Sequence, residues 1–269
     1  MYERKVKITR ILKDQKYDDI DTVLVESSVD IIIDSNPIAS IICLPSDLKE
    51  LAVGFLFSIG IINSYNEIKH IDVDELEGTI NLNIKDQLDI NSEIFKLNSV
   101  SRVIDTTCGI PSPWRKIIKE KILDGKGSEI AENDIKLKKK TIFDSIIKMQ
   151  TETHVFRKTG GCHGAAIFDL NGNILGVKED IGRHNAIDKV MGELLMKDIN
   201  FERTFLTTTG RLTGDSVLKT IRAKIPLVAS LSAAIESGIN FAFAYGQTLI
   251  GFVRGSKMNI YTRPDRVIM

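Results

Sequence analysis

This sequence has few cysteines and no excess of charge of either sign. Its three cysteines are scattered over 269 residues and no two are spaced as CxxC. That pattern provides neither a disulfide framework nor the usual ligand pair of a structural zinc site, so no metal site is expected. Lysine plus arginine and aspartate plus glutamate both number 36. This balance removes the simplest argument for binding to nucleic acid or to acidic lipid.

The sequence also lacks long apolar runs. None approaches the roughly 20 residues that a membrane span needs. The first residues, MYERKVKITR, are charged and lack the apolar core of a signal peptide. We therefore expect a soluble, cytoplasmic protein without a membrane partner.

Apolar periodicity predicts an α/β protein, α+β overall, with two unequal parts. Residues 1–100 are rich in alternating, β-branched segments with one helix candidate, and predict a smaller strand-rich N-terminal domain. Residues 101–139 contain TTCGIPSPW and a highly charged run, and predict a connector. In residues 140–269 strand and helix candidates alternate. This alternation predicts a three-layer α/β domain that binds ligands at the carboxyl ends of its strands.

Three local signals give element boundaries. Ser46 can cap the helix candidate SDLKELAVGFLFSIGII. The dipeptide Asn36-Pro37 is typical of a turn, and Asn171-Gly172 predicts a β-hairpin between two apolar runs.

Four glycine-containing segments carry most of the polar chemistry of the second half. In RKTGGCHGAA, Gly160 and Gly161 could let the backbone approach an anion, or could form a plain turn. In TTTGRLTGDSVLK, Arg211 follows a strand candidate in a loop that suits a phosphate, although the spacing is neither a P-loop nor GxGxxG. In GFVRGSKMNIYT, Arg254 and Lys257 flank a turn that could clamp a phosphate or be a simple charged hairpin.

The remaining segment, KEDIGRHNAIDKVMG, concentrates polar residues at a predicted helix start. A solvated helix face explains part of this composition, but we favour a site. His184 and Asp188 are four residues apart, so the carboxylate could orient the imidazole. The four segments together predict a binding site for an anionic, nucleotide-like molecule.

These segments also carry a resemblance to a known family. Five stretches resemble, in order and spacing, the FdhD family of formate dehydrogenase accessory sulfurtransferases: TGGCHGAA, EDIGRHNAIDKVMG, TTTGRLTGDSVLK, IPLVASLSAA and GQTLIGFVRGSKMNIYT. The resemblance implies a sulfur carrier. A loop cysteine would accept sulfur from a cysteine desulfurase as a persulfide and pass it to the molybdenum cofactor, bis(molybdopterin guanine dinucleotide), before this cofactor enters formate dehydrogenase.

The resemblance also implies residue roles and an architecture. Cys108, in TTCG, corresponds to the sulfur-carrying cysteine. The segment associated with the guanine dinucleotide cofactor corresponds to Phe252, Val253, Arg254, Gly255, Ser256 and Lys257. We add Gly160, Gly161, His184 and Arg211 as candidate cofactor-binding residues. The family further implies a cytidine-deaminase-like second half and a homodimer.

Two departures limit the interpretation. Many family members have a second cysteine in CGxC, where this chain has Pro111, so a single thiolate would have to carry the persulfide unless Cys162 substitutes. A chaperone that binds the cofactor and docks on formate dehydrogenase without moving sulfur is therefore an alternative. Zinc-dependent deamination is disfavoured, because His163-Gly164-Ala165 does not match the HxE motif of zinc deaminases and their PCxxC motif is absent.

Overall fold

The computed structural model describes residues 2–85, 103–104, 130 and 135–269. Most of the predicted connector, including Cys108 and Pro111, lies outside the described residues. The helices are α1 (Leu48–Ser58), α2 (Lys139–Glu152), α3 (His154–Thr159), α4 (Arg183–Met196), α5 (Gly214–Arg222) and α6 (Glu236–Ala244). The strands of the first half are β1 (Glu3–Leu12), β2 (Gln15–Leu24), β3 (Ser27–Ile33), β4 (Asn36–Cys43), β5 (Ile68–Asp74), β6 (Thr79–Ile84) and β7 (Val103–Ile104). Those of the second half are β8 (Leu137–Lys138), β9 (His163–Asp169), β10 (Ile174–Asp180), β11 (Thr204–Thr208), β12 (Leu227–Ser230), β13 (Thr248–Arg254), β14 (Lys257–Thr262) and β15 (Val267–Ile268).

A six-stranded mixed sheet forms the centre of the second half. Its order is β10-β9-β11-β12-β13-β14, with β11, β12 and β13 parallel and the outer pairs antiparallel. One apolar cluster packs Ile146 and Met149 of α2 with Phe168 and Phe205 of the sheet. A second cluster packs α4 and α5 with other buried residues of the same strands. Helices therefore cover both faces, which confirms the predicted three-layer α/β architecture.

Local turn chemistry explains the hairpin between β9 and β10. Gly172 has φ of +82°, a left-handed conformation that costs glycine little. The carboxylate of Asp169 accepts hydrogen bonds from the backbone N–H groups of Asn171 and Asn173, each at 2.9 Å. The hairpin predicted from Asn171-Gly172 is confirmed.

The N-terminal half contains a five-stranded sheet of order β5-β6-β3-β4-β7, and among the described strands β1 pairs with β2 alone. Two local predictions fail here. Asn36-Pro37 does not form a turn but begins β4. The turn is made by the two preceding residues, Asp34 and Ser35, which both have positive φ as in a type I′ hairpin turn. The N-cap of α1 is Asp47 and not Ser46.

Helix α1 joins the two halves through an unusually close contact with α4. A Cβ atom built on Gly54 would lie 1.8 Å from the backbone oxygen of Asp188, and one built on Gly192 would lie 1.9 Å from that of Glu50. Only glycine permits this backbone approach. One apolar cluster runs through α1, α4 and both large sheets, so the halves share a core. In the described ranges, no helix is long and apolar enough to cross a membrane.

Candidate functional site

All four glycine-containing segments meet at one edge of the six-stranded sheet. Asp180, at the end of β10, is paired with His163, at the start of β9. Thr208, at the end of β11, is paired with Ser230, at the end of β12. The turn between β13 and β14 follows Arg254 at the same edge, because β13 is parallel to β12. The carboxyl ends of the parallel strands therefore form a common edge, as the alternation of elements predicts.

A cavity of about 590 Å³ opens at this edge, on the side of the sheet that α2 covers. Its apolar wall comes from the two helices before β9, through Phe143, Ile146, Ile147, Gln150 and Phe156. Its other wall comes from the sheet edge, through His163, Thr209, Leu231, Ser232, Val253, Arg254 and Gly255. A mainly apolar cavity with a few polar groups on one side suits a flat heterocycle that needs orientation.

Three residues of the segment Phe252–Lys257 line this cavity, namely Val253, Arg254 and Gly255. The register of β13 against β14 shifts between Gly251 and Arg254, and within this bulge Phe252 has φ of +52°. A bulky aromatic residue rarely adopts this conformation, so the bulge sets the direction of its side chain at some cost. Val253 is buried and lines the cavity, whereas Ser256 is exposed in the turn.

Arg254 is positioned by two contacts. Its Nε donates a hydrogen bond to the backbone oxygen of Leu231 at 2.8 Å, and its guanidinium lies 5.9 Å from the centre of the Phe252 ring. Arg254 is exposed, and its guanidinium carries four further N–H donors besides Nε. Gly255, with φ of +58°, makes the turn, and Lys257 is exposed on its other side.

His163 and Thr209 are cavity residues that the sequence did not single out as a pair. Nδ1 of His163 lies 3.1 Å from the Thr209 hydroxyl, which also accepts a hydrogen bond from the backbone N–H of Gly164. The Thr209 hydroxyl can both donate and accept, so the tautomer of His163 decides the direction of this hydrogen bond. Burial, followed by the charges of Arg183 and Arg211, lowers the pKa of His163, so the neutral form is favoured.

The other predicted binding residues lie around this edge but do not line the cavity. Gly160 ends α3 with φ of +66°, and Gly161 follows it on the surface. Arg211 is exposed in the loop after β11. His184 is buried in the first turn of α4, with Nε2 3.5 Å from the Thr213 hydroxyl.

The predicted pairing of His184 with Asp188 is wrong. Asp188 forms a buried ion pair with Lys219, and it accepts a 2.6 Å hydrogen bond from the Ser58 hydroxyl. Asp180 forms a second buried ion pair, with Lys189. Much of the polar character of this segment is therefore structural, because its charges connect α4 to α1, α5 and the end of β4.

The two described cysteines are both unreactive thiols. Cys43 is buried at the end of β4, and Cys162 is buried at the start of β9 with its Sγ 3.6 Å from Oε1 of Glu179. Burial, followed by a nearby carboxylate in each case, raises the pKa of both thiols to about 12. A thiol of this pKa is almost entirely protonated at neutral pH and is a poor nucleophile.

Comparison with known proteins assigns the chain to a family. The sequence model of the FdhD/NarQ family matches residues 24–268. The chain belongs to the FdhD/NarQ family. Among its FdhD relatives, the sulfur carrier protein FdhD of Saccharolobus solfataricus is 33% identical over 98% of both chains. The sulfur carrier protein FdhD of Bacillus subtilis is 30% identical over 92% of this chain and 90% of its own.

A solved structure agrees with this assignment. The crystal structure of a candidate formate dehydrogenase accessory protein from Desulfotalea psychrophila matches the whole of both chains, with a TM-score of 0.76 and 26% sequence identity. The FdhD/NarQ assignment therefore rests on sequence and on fold.

Sequence reasoning missed the helical wall of the cavity. Ile142, Ile146 and Met149 form the buried stripe of α2, and this stripe identifies only a packed helix. Ile147 lies off the stripe, is 61% exposed and lines the cavity. An apolar residue on the polar side of a helix was the available signal.

Proposed function

We propose that this protein is a sulfur carrier, a sulfurtransferase that holds sulfur as a persulfide on Cys108. A cysteine desulfurase supplies the sulfur, and the acceptor is the molybdenum cofactor, bis(molybdopterin guanine dinucleotide), destined for formate dehydrogenase. The names of the FdhD relatives and of the similar crystal structure support sulfur carriage and the accessory role. We place this activity in the cytoplasm.

The observation that carries the choice of residue is the chemistry of the other two cysteines. The chain has three cysteines, and burial raises the pKa of Cys43 and of Cys162 to about 12. Cys162 is therefore a poor substitute for the cysteine that Pro111 replaces. Cys108 is the remaining candidate for a reactive thiolate.

Chain connectivity is consistent with delivery at the candidate site. Strand β7 ends at Ile104 and runs parallel to β4. Beyond the end of β4, the N–H of Leu44 donates to the carboxylate of Asp180 at the sheet edge. Cys108 is four residues after Ile104, and four residues span at most about 14 Å.

The transfer step needs one nucleophile. The Cys108 thiolate attacks the outer sulfur of the desulfurase persulfide, a new S–S bond forms, and the donor cysteine leaves as a thiolate. Since Pro111 provides no resolving thiol, Cys108 cannot release sulfur by forming a disulfide within its own loop. Release then depends on the acceptor: the S–S bond of the persulfide breaks, Cys108 leaves as a thiolate, and the acceptor must supply the two electrons that convert the outer sulfur to sulfide.

The cavity and the hairpin beside it would hold one end of the cofactor. Its apolar wall suits a guanine ring, and Arg254 in the cavity wall, with the exposed Lys257 opposite it in the β13–β14 hairpin, suits the adjoining phosphates. Phe252 beside Arg254 adds a surface on which a ring can stack.

The test of sulfur carriage is a mass measurement. The protein is incubated with a cysteine desulfurase and free cysteine, and its intact mass is recorded without reductant. We expect the gain of one sulfur atom in the unaltered protein and in Cys162→Ala, and no gain in Cys108→Ala. No gain in the unaltered protein would refute the carrier mechanism.

A cofactor-binding chaperone is the second candidate, because a cavity whose lining residues lie between positions 143 and 255 could hold the cofactor without any transfer of sulfur. Binding of a guanine nucleotide without sulfur loading would support it. Replacing Arg254 by alanine should weaken that binding, whereas Arg203→Ala, an exposed change at the opposite end of β11, should not. Light scattering would test the homodimer that the family resemblance implies.

A further inference from the structure

The loop from Thr209 to Thr213, between β11 and α5, is surrounded by side chains that can carry positive charge. His163 contacts the hydroxyl of Thr209, and His184 approaches the hydroxyl of Thr213. Arg211 belongs to the loop itself. This arrangement lies beside the first turn of α5, whose N–H groups give it a partial positive charge.

Arg183 contacts the middle of the same loop through its aliphatic stem. A Cβ atom built on Gly210 would lie 2.8 Å from Cβ of Arg183 and 3.3 Å from its Cδ. The φ angle of Gly210 is not positive, so its backbone conformation does not require glycine. Glycine is needed there because a side chain would collide with Arg183. The glycine makes room for the arginine stem, and the charge of Arg211 is near enough to lower the pKa of Arg183.

The positive charge of the cluster is only partly compensated by described residues, through the carboxylate of Asp215. Neither Arg183 nor Arg211 forms a salt bridge with any of these residues. Nε of Arg183 and Nδ1 of His184 are buried without a hydrogen-bond partner among those residues. A buried donor left unpaired is costly, and so is the approach of two positive charges.

The positive charges of Arg183, Arg211 and the nearby histidines disfavour one another. Burial, followed by the charge of Arg211, lowers the pKa of Arg183, and the charge of Asp215 offsets part of this effect. Burial lowers the pKa of His184 well below its usual range, and the charges of Lys219, Arg183 and His163 lower it further. An anion between the arginines would relieve the repulsion and accept a hydrogen bond from Nε of Arg183.

We infer that the Thr209–Thr213 loop is a binding site for a phosphate-class oxyanion, with Arg183 and Arg211 as its two charged ligands. His163 and Thr209 belong both to this site and to the cavity wall, so the anion would lie at one end of the cavity. The phosphates of the proposed cofactor are one source of such an anion, and in this respect the inference rests on the proposed function. Free inorganic phosphates are the other source.

Calorimetric titration of the full chain with inorganic pyrophosphate tests the site. We expect Arg183→Gln and Arg211→Gln each to weaken binding about ten- to a hundredfold, as for the loss of a charged hydrogen bond. Arg203→Gln removes the same charge at the far end of β11 and should bind as the unaltered protein does. Equal affinities in all four proteins would overturn the inference, and so would a lack of binding to the unaltered protein.

A substitution that leaves every charge in place excludes a role of charge alone for this cluster. Gly210→Ala displaces the Arg183 stem and should weaken pyrophosphate binding. Undiminished binding by Gly210→Ala would contradict the assignment.

Two measurements, sulfur loading of Cys108 and binding of guanosine diphosphate, distinguish failure of the anion site from failure of the proposed function. Guanosine diphosphate should bind more tightly than pyrophosphate if the anion belongs to a nucleotide whose ring enters the cavity. Sulfur loading and pyrophosphate binding are measured on the same preparations, and Arg203→Gln should match the unaltered protein in both. A protein that binds pyrophosphate through Arg183 but never loads sulfur would refute the carrier mechanism and support the anion site.

Discussion

Lys189→Met is expected to destabilise the fold strongly, because it leaves a buried carboxylate without its charged partner. Nζ of Lys189 lies 2.7 Å from Oδ2 of Asp180, and neither side chain is exposed to solvent. Asp180 also accepts hydrogen bonds from the backbone N–H groups of Leu44 and Gly182 and from the amide of Asn185. The methionine fills a similar volume but supplies no charge and no donor.

The expected loss is a large fraction of the total stability. Removing one partner of a buried ion pair typically costs about 3–5 kcal/mol, whereas a folded domain is stable by only about 5–15 kcal/mol. The substitution also removes the 2.9 Å hydrogen bond from Lys189 to the backbone oxygen of Leu44. For a protein of this size, the loss corresponds to a fall of roughly 6–20 °C in melting temperature.

Thermal unfolding followed by circular dichroism measures this effect, and Lys197→Met is the matched control. Lys197 is exposed at the end of the same helix and pairs with Glu193 four residues earlier, a surface contact that contributes about 0.3–0.5 kcal/mol. Asp180→Asn combined with Lys189→Met removes both charges and should recover part of the loss. If Lys189→Met melts within about 2 °C of the control, the reasoning about the buried pair is refuted.

Three further predictions concern the α1–α4 contact, the buried His184 and the cysteines. Gly54→Ala should separate α1 from α4 and cost about 1–3 kcal/mol or more; an unchanged melting temperature would count against the close approach. Because the pKa of His184 is lowered in the folded protein, the unfolded chain binds the extra proton, so stability should fall as pH drops below about 6.5. Urea unfolding across that range should show a smaller fall in His184→Gln. Brief iodoacetamide treatment of the native protein near pH 8 should label Cys108 and spare Cys43 and Cys162, whose thiolate fraction there is about one in ten thousand; labelling of all three would contradict their burial.

Most strands and helices of the second half follow from local sequence. Apolar stripes identify α4 and α5, and the Asn171-Gly172 turn identifies the β9–β10 hairpin. Boundaries in the first half were less predictable. Asp47 adopts a left-handed conformation at the start of α1 while its carboxylate pairs with Lys178 of β10, a contact 131 residues away along the chain. Local rules for helix caps do not include such a partner.

The candidate site divides in the same way. The glycine-containing segments and their meeting at one sheet edge could be predicted, because parallel strands present their carboxyl ends together. The partner of each charge could not. His184 and Asp188 have the spacing of a helical pair, yet Lys219 and Ser58 hold the carboxylate. Spacing along one helix says which residues share a face but not which neighbouring element that face meets.

The sequence by itself determined the class of fold, the family and the residue types available for sulfur and anion chemistry, since these follow from periodicity and from motifs read along the chain. Only the tertiary structure decided which of them are usable. It buries Cys43 and Cys162 as inert thiols, turns Asp180 and Asp188 into structural ion pairs, and brings Arg183 against Gly210 beside Arg211. The physical reason is that burial and long-range pairing set the charge and reactivity of a side chain, and both depend on segments far apart in the sequence.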